Sequence, residues 1–436
     1  MKQFVLGLLA FCSLTTAAAQ TPLNLRQCID RANERNLQVR QALLNCRQQE
    51  VNVSSARNAR LPEVSASAGE NLSFGRGITA NNTYESRNTS STSLSLGASM
   101  PLLTGGRIGH VNKQADLNLA AAVADVDRLR EDLSLQVTQA YLQVIYYADV
   151  VTQTNENLSL ALQQEEQVRK RIAAGRLPEV ELAQATSRIA QNRLDLVQAK
   201  NNHHLALLSL SQLLEFSTPD SLAIVRPEES ELRDITGNPE ETYLLALSDR
   251  PSLRVADLRI RAAQEGIAIA RSARYPTLSL TAGLGSNYYH TSGITNPTLS
   301  RQIKDNFSQS IGLSLNFPLF DRHATRNNIR QARLAVLEQQ LALDNTKKTL
   351  YKEIQDAYYN ALAAQQKYRA ALVAEEAAQV SLTTVIKKLE GGRATTPEFD
   401  EAFNKHFVAA TNRISARYEF LFRSKILDFY RGTTLR

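Results

Sequence analysis

One structural unit occurs twice in this chain, and that constrains the fold more than any composition does. Early on, residues recur at an offset of 214: Ala42 with Ala256, Arg47 with Arg261, Ala56-Arg57 with Ala270-Arg271, and Ala59-Arg60 with Ala273-Arg274. Pro62 then matches Pro276. Later the offset is 217: Ser93 with Ser310, Leu96 with Leu313, Pro101-Leu102 with Pro318-Leu319, Ala140-Tyr141 with Ala357-Tyr358, and Gly175-Arg176 with Gly392-Arg393. The change of offset falls between Pro62 and Ser93, in polar sequence where a loop grows without disturbing a core.

Each unit reads as helix, two strands, long helix, sharp turn, helix. The pattern predicts helices over roughly 22–60, 104–174 and 178–214, and again over roughly 240–274, 321–391 and 397–430. The long helix carries an apolar seam at Leu133, Val137, Ala140, Val144, Tyr147 and Val151, with steps alternating four and three as in coiled-coil packing. The register recurs at Leu350, Ile354, Ala357 and Ala361. A helix over 104–174 is about 105 Å long, and the two shorter helices of the unit, laid end to end, match it. Such rods are too thin to bury a globular core, so they must pack side by side.

The strands are amphipathic. Leu94, Leu96, Ala98 and Met100 alternate with Ser93, Ser95, Gly97 and Ser99; Ile311, Leu313, Leu315 and Phe317 alternate with Ser310, Gly312, Ser314 and Asn316. Leu278, Leu280, Ala282 and Leu284 repeat the pattern. This is the dyad signature of a membrane barrel, and equally of a soluble sheet with one buried face. In the first strand, Glu70 interrupts Val64, Ala66, Ala68 and Leu72, so either its membrane part ends near Ala68 or a bulge shifts it. Polar segments near 75–90 and 286–306 read as loops. With no tryptophan, an aromatic girdle rests on Phe74, Tyr84, Tyr288, Tyr289, Phe307 or Phe317. Four strands cannot close a membrane barrel; eight from two copies would be filled by side chains, whereas twelve from three would leave a lumen.

Residues 1–19 read as a secretory signal, with Lys2, an apolar core from Phe4 to Leu14 and Ala17-Ala18-Ala19 before the cleavage point. Bulky Phe11 disfavours lipidation at Cys12. The organisation is thus 1–19 signal, 20–215 first repeat, 216–239 linker and 240–436 second repeat. No later segment offers roughly 18 consecutive apolar residues, so a membrane location requires a barrel. Cys28 and Cys46 lie about 27 Å apart along one helical pattern, too far to pair within it, and read as small buried hydrophobes. The net charge of +7 is interleaved with acids along the helices rather than clustered, the pattern of solvated faces and not of a nucleic-acid surface.

These features together resemble the TolC outer-membrane efflux factor family over nearly the whole mature chain. The residues that carry the resemblance are Leu25, Cys28-Ile29, Ala32 and Asn36-Leu37 at the start, the corner Ala59-Arg60-Leu61-Pro62, and Arg250-Pro251 with Leu253. To these are added the strand exits Met100-Pro101-Leu102 and Phe317-Pro318-Leu319, and two tips, Ala174 to Val180 and Gly391 to Phe399. The resemblance implies a mainly α fold: a long coiled-coil α-barrel plus a 12-stranded β-barrel shared by a homotrimer. It implies an outer-membrane location reaching into the periplasm, and docking to a periplasmic adaptor that links the duct to an inner-membrane transporter. The exit of a type I protein secretion system shares this architecture. The resemblance also implies that Gly175, Arg176, Leu177, Gly392 and Arg393 meet the adaptor. Glycine at a helix end equally serves the left-handed cap, and Pro178 and Pro397 can start the next helix.

Glu398 and Glu401 share a helix face, and Glu181 stands six residues past Gly175 as Glu398 does past Gly392. In a trimer Glu398 and Glu401 form a ring of acids, which the family places at the periplasmic entrance; the plainer role is first-turn acids favoured by the helix dipole. The family's tyrosine and arginine latch is expected where Leu389 and Ala394 stand here. His203 and His204 are about 100° apart around a helix, poor for chelation, and His203 falls in the seam of Leu182, Ala185, Ile189, Leu196, Ala199 and Ala206. No HExxH, P-loop or serine-elbow motif occurs, so no catalytic residues, metal or cofactor are expected. A soluble periplasmic coiled coil or a surface adhesin explains the heptads and leaves the matched strands unexplained.

Overall fold

A computed structural model describes residues 22–78, 82–219, 222–226, 232 and 234–433. The signal at 1–19, Cys12 and part of the 216–239 linker lie outside the described residues. The chain forms two compact units: one of the N-terminal segment to Arg40 with Leu129–Ser248 and Leu350–Arg436, the other of Gln41–Arg128 with Asp249–Thr349. Both repeats contribute to both units, because the long helix of each runs through the two.

The elements, in order, are α1 (Leu25–Arg35), α2 (Leu37–Asn58), β1 (Glu63–Ser73), β2 (Arg76–Ile78), β3 (Tyr84–Ser86), β4 (Thr89–Thr104), α3 (Arg107–Ala173), α4 (Val180–Leu213), α5 (Pro239–Asp249), α6 (Pro251–Ser272), β5 (Thr277–Thr291), α7 (Leu299–Asp305), β6 (Ser308–Asn316), α8 (Ala324–Glu390) and α9 (Thr396–Tyr430). The two long helices hold 67 residues each, about 100 Å of rise.

Two of the expected helices are each broken once, at equivalent places. The stretch 22–60 divides at Asn36, whose backbone leaves the helical region at ψ 134°. Its side chain is the reason: Oδ1 accepts from the Gln38 amide at 2.9 Å, and Nδ2 donates to the Leu213 carbonyl at 3.2 Å. The stretch 240–274 divides at Arg250, 214 residues later, where ψ is 125°. Here Pro251 forces its predecessor out of the helical region and then starts α6.

In the first unit the α3 seam is buried over its first part, where Leu133, Val137, Ala140 and Val144 are at most 9% exposed, whereas Tyr147 and Val151 are only half-buried; Leu350, Ile354, Ala357 and Ala361 are at most 5% exposed. Ile414, Tyr418 and Leu421 of α9 and Leu210 of α4 pack with the α3 residues and Cys28 in one core. Burial pushes the Cys28 thiol up to about 12, so it stays protonated and inert. Cys28 and Cys46 are both free and buried.

The second unit holds an antiparallel sheet in the order β1-β4-β5-β6. Its register sorts the side chains by face. Val64, Ala98, Ala282 and Ile311 form one cross-strand row, and Met100, Leu280 and Leu313 another on the same face. The opposite face carries small polar rows, such as Ser65, Gly97, Gly283 and Ser310. β1 pairs with β4 from Glu63 to Ser73 without a register shift, which settles the two readings of that strand: it has no bulge. Its apolar band ends at Ala68, and Glu70 shares the next row with Thr92 and Tyr288. There Ser90 and Thr92 donate hydroxyl hydrogen bonds to the Glu70 carboxylate, so the charge stands at the polar edge of the band. Tyr288 shares the apolar face, whereas Tyr289, one residue on, faces the other way.

Beyond the end of β6, the exposed edge of β5 is satisfied by side-chain amides. Gln302 of α7 donates to the Tyr289 carbonyl at 2.8 Å and accepts from its amide at 2.9 Å. Asn306 donates to the Asn287 carbonyl at 2.7 Å, and Asn296 bridges both backbone groups of Thr291. This protects an edge that would otherwise pair with another chain. Of the expected 286–306 loop, the part up to Thr291 continues β5 and the rest is built around α7; the expected 75–90 loop contains the β2-β3 hairpin and ends where β4 begins at Thr89.

Gly105 turns β4 into α3 with φ +57°, and a Cβ there would lie 2.7 Å from both the Ser272 carbonyl oxygen and the Tyr275 Cβ. Gly105→Ala adds left-handed strain to overpacking and is expected to cost about 2–5 kcal/mol. Thermal unfolding of the detergent-solubilised protein checks this. Gly175→Ala, also at positive φ but with nothing within 4 Å of its Cβ, should cost only the strain, about 1–2 kcal/mol.

Candidate functional site

The two tips end their long helices in the same way. After α3, Gly175 adopts φ +70°, its amide donates to the Ile172 carbonyl at 2.8 Å, and the Arg176 amide donates to the Arg171 carbonyl at 2.8 Å. After α8, Gly392 adopts φ +68°, with the Gly392 amide on Leu389 at 3.1 Å and the Arg393 amide on Lys388 at 2.7 Å. Both are glycine C-caps that satisfy carbonyls the helix end would leave unpaired. Gly175, Arg176, Gly392 and Arg393 are exposed and Leu177 is half-buried. The cap role and exposure to solvent therefore coexist at Gly175, Arg176, Gly392 and Arg393.

The helices that leave the tips start differently. In α9, Thr395 and Glu398 form a capping box: the Thr395 amide donates to Glu398 Oε2 at 2.8 Å, and the Glu398 amide donates to Thr395 Oγ1 at 3.5 Å. Glu398 thus serves the helix start. Glu401 is exposed and pairs with Lys405 one turn on, Nζ to Oε1 at 2.6 Å. That hydrogen bond, then the charge of Lys405, holds the Glu401 carboxyl below its usual range. Neither acid is without a local partner. Glu181 is half-buried in the first turn of α4, which has no side-chain cap.

Behind the tips the structure brings Leu389 and Phe399 together with residues that the sequence did not single out. Phe399, Ala402 and Phe403 of α9 pack with Leu382 of α8, and Leu160 and Leu389 lie against them. Leu389 is thus a half-buried packing residue beside this cluster. Arg188 of α4 forms an ion pair with Asp400 of α9, and its guanidinium carbon stands 5.3 Å over the Phe399 ring. Burial pushes the Arg188 pKa down, and the charge of Glu181 partly restores it. No local spacing announces a pair that joins two helices so far apart in sequence; the available hint is that Arg188 adjoins the buried seam position Ile189. His203 is half-buried, and burial, then His204, pushes its pKa down, as suits a packed imidazole.

An amphipathic four-stranded sheet and two long helices, each ending in a glycine-capped tip, fit the subunit of a channel built on helical hairpins. A profile of the family described as "Outer membrane efflux protein" matches residues 28–214 and 242–432, one match for each repeat. The outer membrane efflux protein BepC of Brucella suis biovar 1 (strain 1330) is 23% identical over 422 residues, covering 95% of this chain and 86% of that protein. The outer membrane protein TolC of Escherichia coli (strain K12) is 24% identical over 441 residues, covering 98% and 85%. In fold, the chain matches a membrane protein from Pseudomonas aeruginosa at TM-score 0.78, with 22% identity and coverage of 94% and 90%. It matches the outer membrane protein VceC of Vibrio cholerae at TM-score 0.75, with 19% identity and coverage of 94% and 97%. The chain belongs to the outer membrane efflux protein family. It is an outer-membrane efflux channel protein that extends into the periplasm, and its role is transport.

Proposed function

We propose that three copies of this chain share one 12-stranded barrel and form the exit duct of a tripartite efflux pump. The observation that carries the reading is the four-stranded sheet itself. It has one apolar and one small polar face, and it ends in two edge strands, β1 and β6. In hydrocarbon an open edge leaves backbone groups unsatisfied at several kcal/mol each, so the sheet must close on other copies. The serine, glycine and threonine face then lines a wet lumen, and the apolar face meets lipid. Cargo moves passively, with no catalytic step in this chain. Gly175, Arg176, Leu177, Gly392 and Arg393 present the tips to a periplasmic adaptor, which joins the duct to an inner-membrane transporter.

Glu181, Glu398 and Glu401 contribute negative charge to the periplasmic entrance. Crowded like charges of this kind favour cations. Single-channel recording in planar bilayers tests the duct and its entrance together. The protein should carry ohmic current without an energy source, and a trivalent cation should block it from the tip side. Glutamine at Glu398 preserves the capping box while removing the charge, so the pair Glu398→Gln with Glu401→Gln should weaken that block and leave assembly intact. Equal block in both proteins confines these acids to capping and ion pairing; no current from the assembled protein overturns the duct.

A further inference from the structure

The polar face of the sheet is nearly uniform. From the row of Glu63 and Ser99 to the row of Asn71, Ser91 and Tyr289, every paired residue on that face is serine, threonine, glycine or asparagine, except Glu63 and Tyr289. Glu63 stands at the end next to the helices. Tyr289 stands at the far end, about 27 Å away along the strands. It is 51% exposed, and its cross-strand neighbours, Ser91 and then Asn71, are small. Of the aromatic residues read from the sequence as a girdle, Tyr289 is therefore on the wrong face for lipid, whereas Tyr288 beside it is on the apolar face.

The backbone of Tyr289 is held in place by a buried side chain. β6 stops short of this level, since Gly285 is the last β5 residue it pairs. Beyond it Gln302 of α7 acts as the partner strand. Its Oε1 accepts from the Tyr289 amide at 2.9 Å, and its Nε2 donates to the Tyr289 carbonyl at 2.8 Å. Both backbone groups of one residue thus bond to one neighbour, as in a hydrogen-bonded cross-strand pair. The same Nε2 donates to the Pro297 carbonyl at 3.0 Å, and Gln302 is 8% exposed. Two residues to either side, Asn287 and Thr291 are held by Asn306 and Asn296. The strand therefore stays extended through Tyr289, and its Cα–Cβ bond stays aimed at the polar face.

We propose that Tyr289 is a specificity-determining residue of the duct: three copies form a ring of phenols at the outer mouth of the barrel, which restricts bulky solutes and holds organic cations against its aromatic faces. This rests on the trimer proposed above. Twelve strands about 4.8 Å apart and tilted about 40° make a backbone tube on the order of 24 Å across. Rows of serine and glycine leave that tube wide and offer a solute little beyond what water offers. The tyrosine row is where a large aromatic side chain enters it among the described residues of the polar face. An aromatic face attracts a cation through the ring quadrupole, and quaternary ammonium groups suit such faces best. Gln302 acts through Tyr289 and is a positioning residue.

The test is single-channel recording of the full-length protein in planar bilayers, with tetrabutylammonium added on each side in turn. The wild type should be blocked from the barrel side. Tyr289→Phe keeps the aromatic face and should keep the block. Tyr289→Ala should lose the block and carry a larger current. Tyr288→Ala, one residue away on the apolar face, should behave as the wild type. Gln302→Ala keeps the ring but frees its backbone, so it should weaken the block and add open-channel noise. Conductance and block that are alike in the wild type and Tyr289→Ala overturn the ring and leave the duct standing. Equal effects of Tyr288→Ala and Tyr289→Ala overturn it as well. Full block in a quiet Gln302→Ala channel removes the clamp from the account. No current from protein that light scattering shows to be three chains overturns the duct itself.

Discussion

Replacing Ile311 with arginine is expected to abolish outer-membrane assembly, whereas replacing its neighbour Ser310 with arginine leaves assembly intact. The two residues are adjacent on β6 and so point to opposite faces. Ile311 is 84% exposed in the single chain and sits in the apolar row with Val64, Ala98 and Ala282. That row lies between the Met100–Leu280–Leu313 row and the Ala66–Leu96–Leu284 row, well inside the apolar band. An arginine near the bilayer midplane costs about 2–4 kcal/mol per copy. Three copies triple that cost, which is comparable with the whole stability of an ordinary domain, about 5–15 kcal/mol. Ser310 stands opposite Gly283, where no side chain competes for space. Fractionating the envelope and measuring heat-resistant assembled protein checks both variants. Equal loss, or equal tolerance, contradicts the assignment of the faces.

The second large effect belongs to the tips. Gly175→Glu and Gly392→Glu are expected to abolish export while assembled protein in the outer membrane stays at its normal level. A Cβ at either glycine meets nothing within 4 Å, so the fold loses only the left-handed strain, about 1–2 kcal/mol. That is small beside the packing of the helices behind the tips. The added carboxylate projects into the surface proposed above to meet an adaptor, next to Arg176 or Arg393. Dye accumulation in cells, together with adaptor cross-linking, reads the effect. Normal export with normal cross-linking by the Gly392 variant removes docking from these turns and leaves them as caps.

Much of this molecule is written in periodicity. The 214 and 217 offsets, the seam from Leu133 to Val144 and the alternation along β4, β5 and β6 all depend on spacing along the chain, and the structure places them as read. The features that escaped depend on contacts between distant segments. Asn36 breaks a helix because its amide reaches Leu213, which no local pattern reveals. Arg250 is different, because Pro251 beside it carried the signal. The amide clamp of Gln302 and Asn306 on β5 appears only once β6 is known to stop short. Glu398 is legible as a first-turn acid, and the fold adds its reciprocal bond with Thr395. The Arg188–Asp400 pair joins helices more than two hundred residues apart in sequence, so only the fold could reveal it.

The central claim is that the four-stranded sheet of one chain is a third of a closed barrel. Light scattering of the detergent-extracted protein, with the detergent contribution subtracted, tests it most directly. The account predicts a particle of three chains that resists dilution. A particle of one chain that keeps its sheet, or of two chains with a stable eight-stranded barrel, contradicts it.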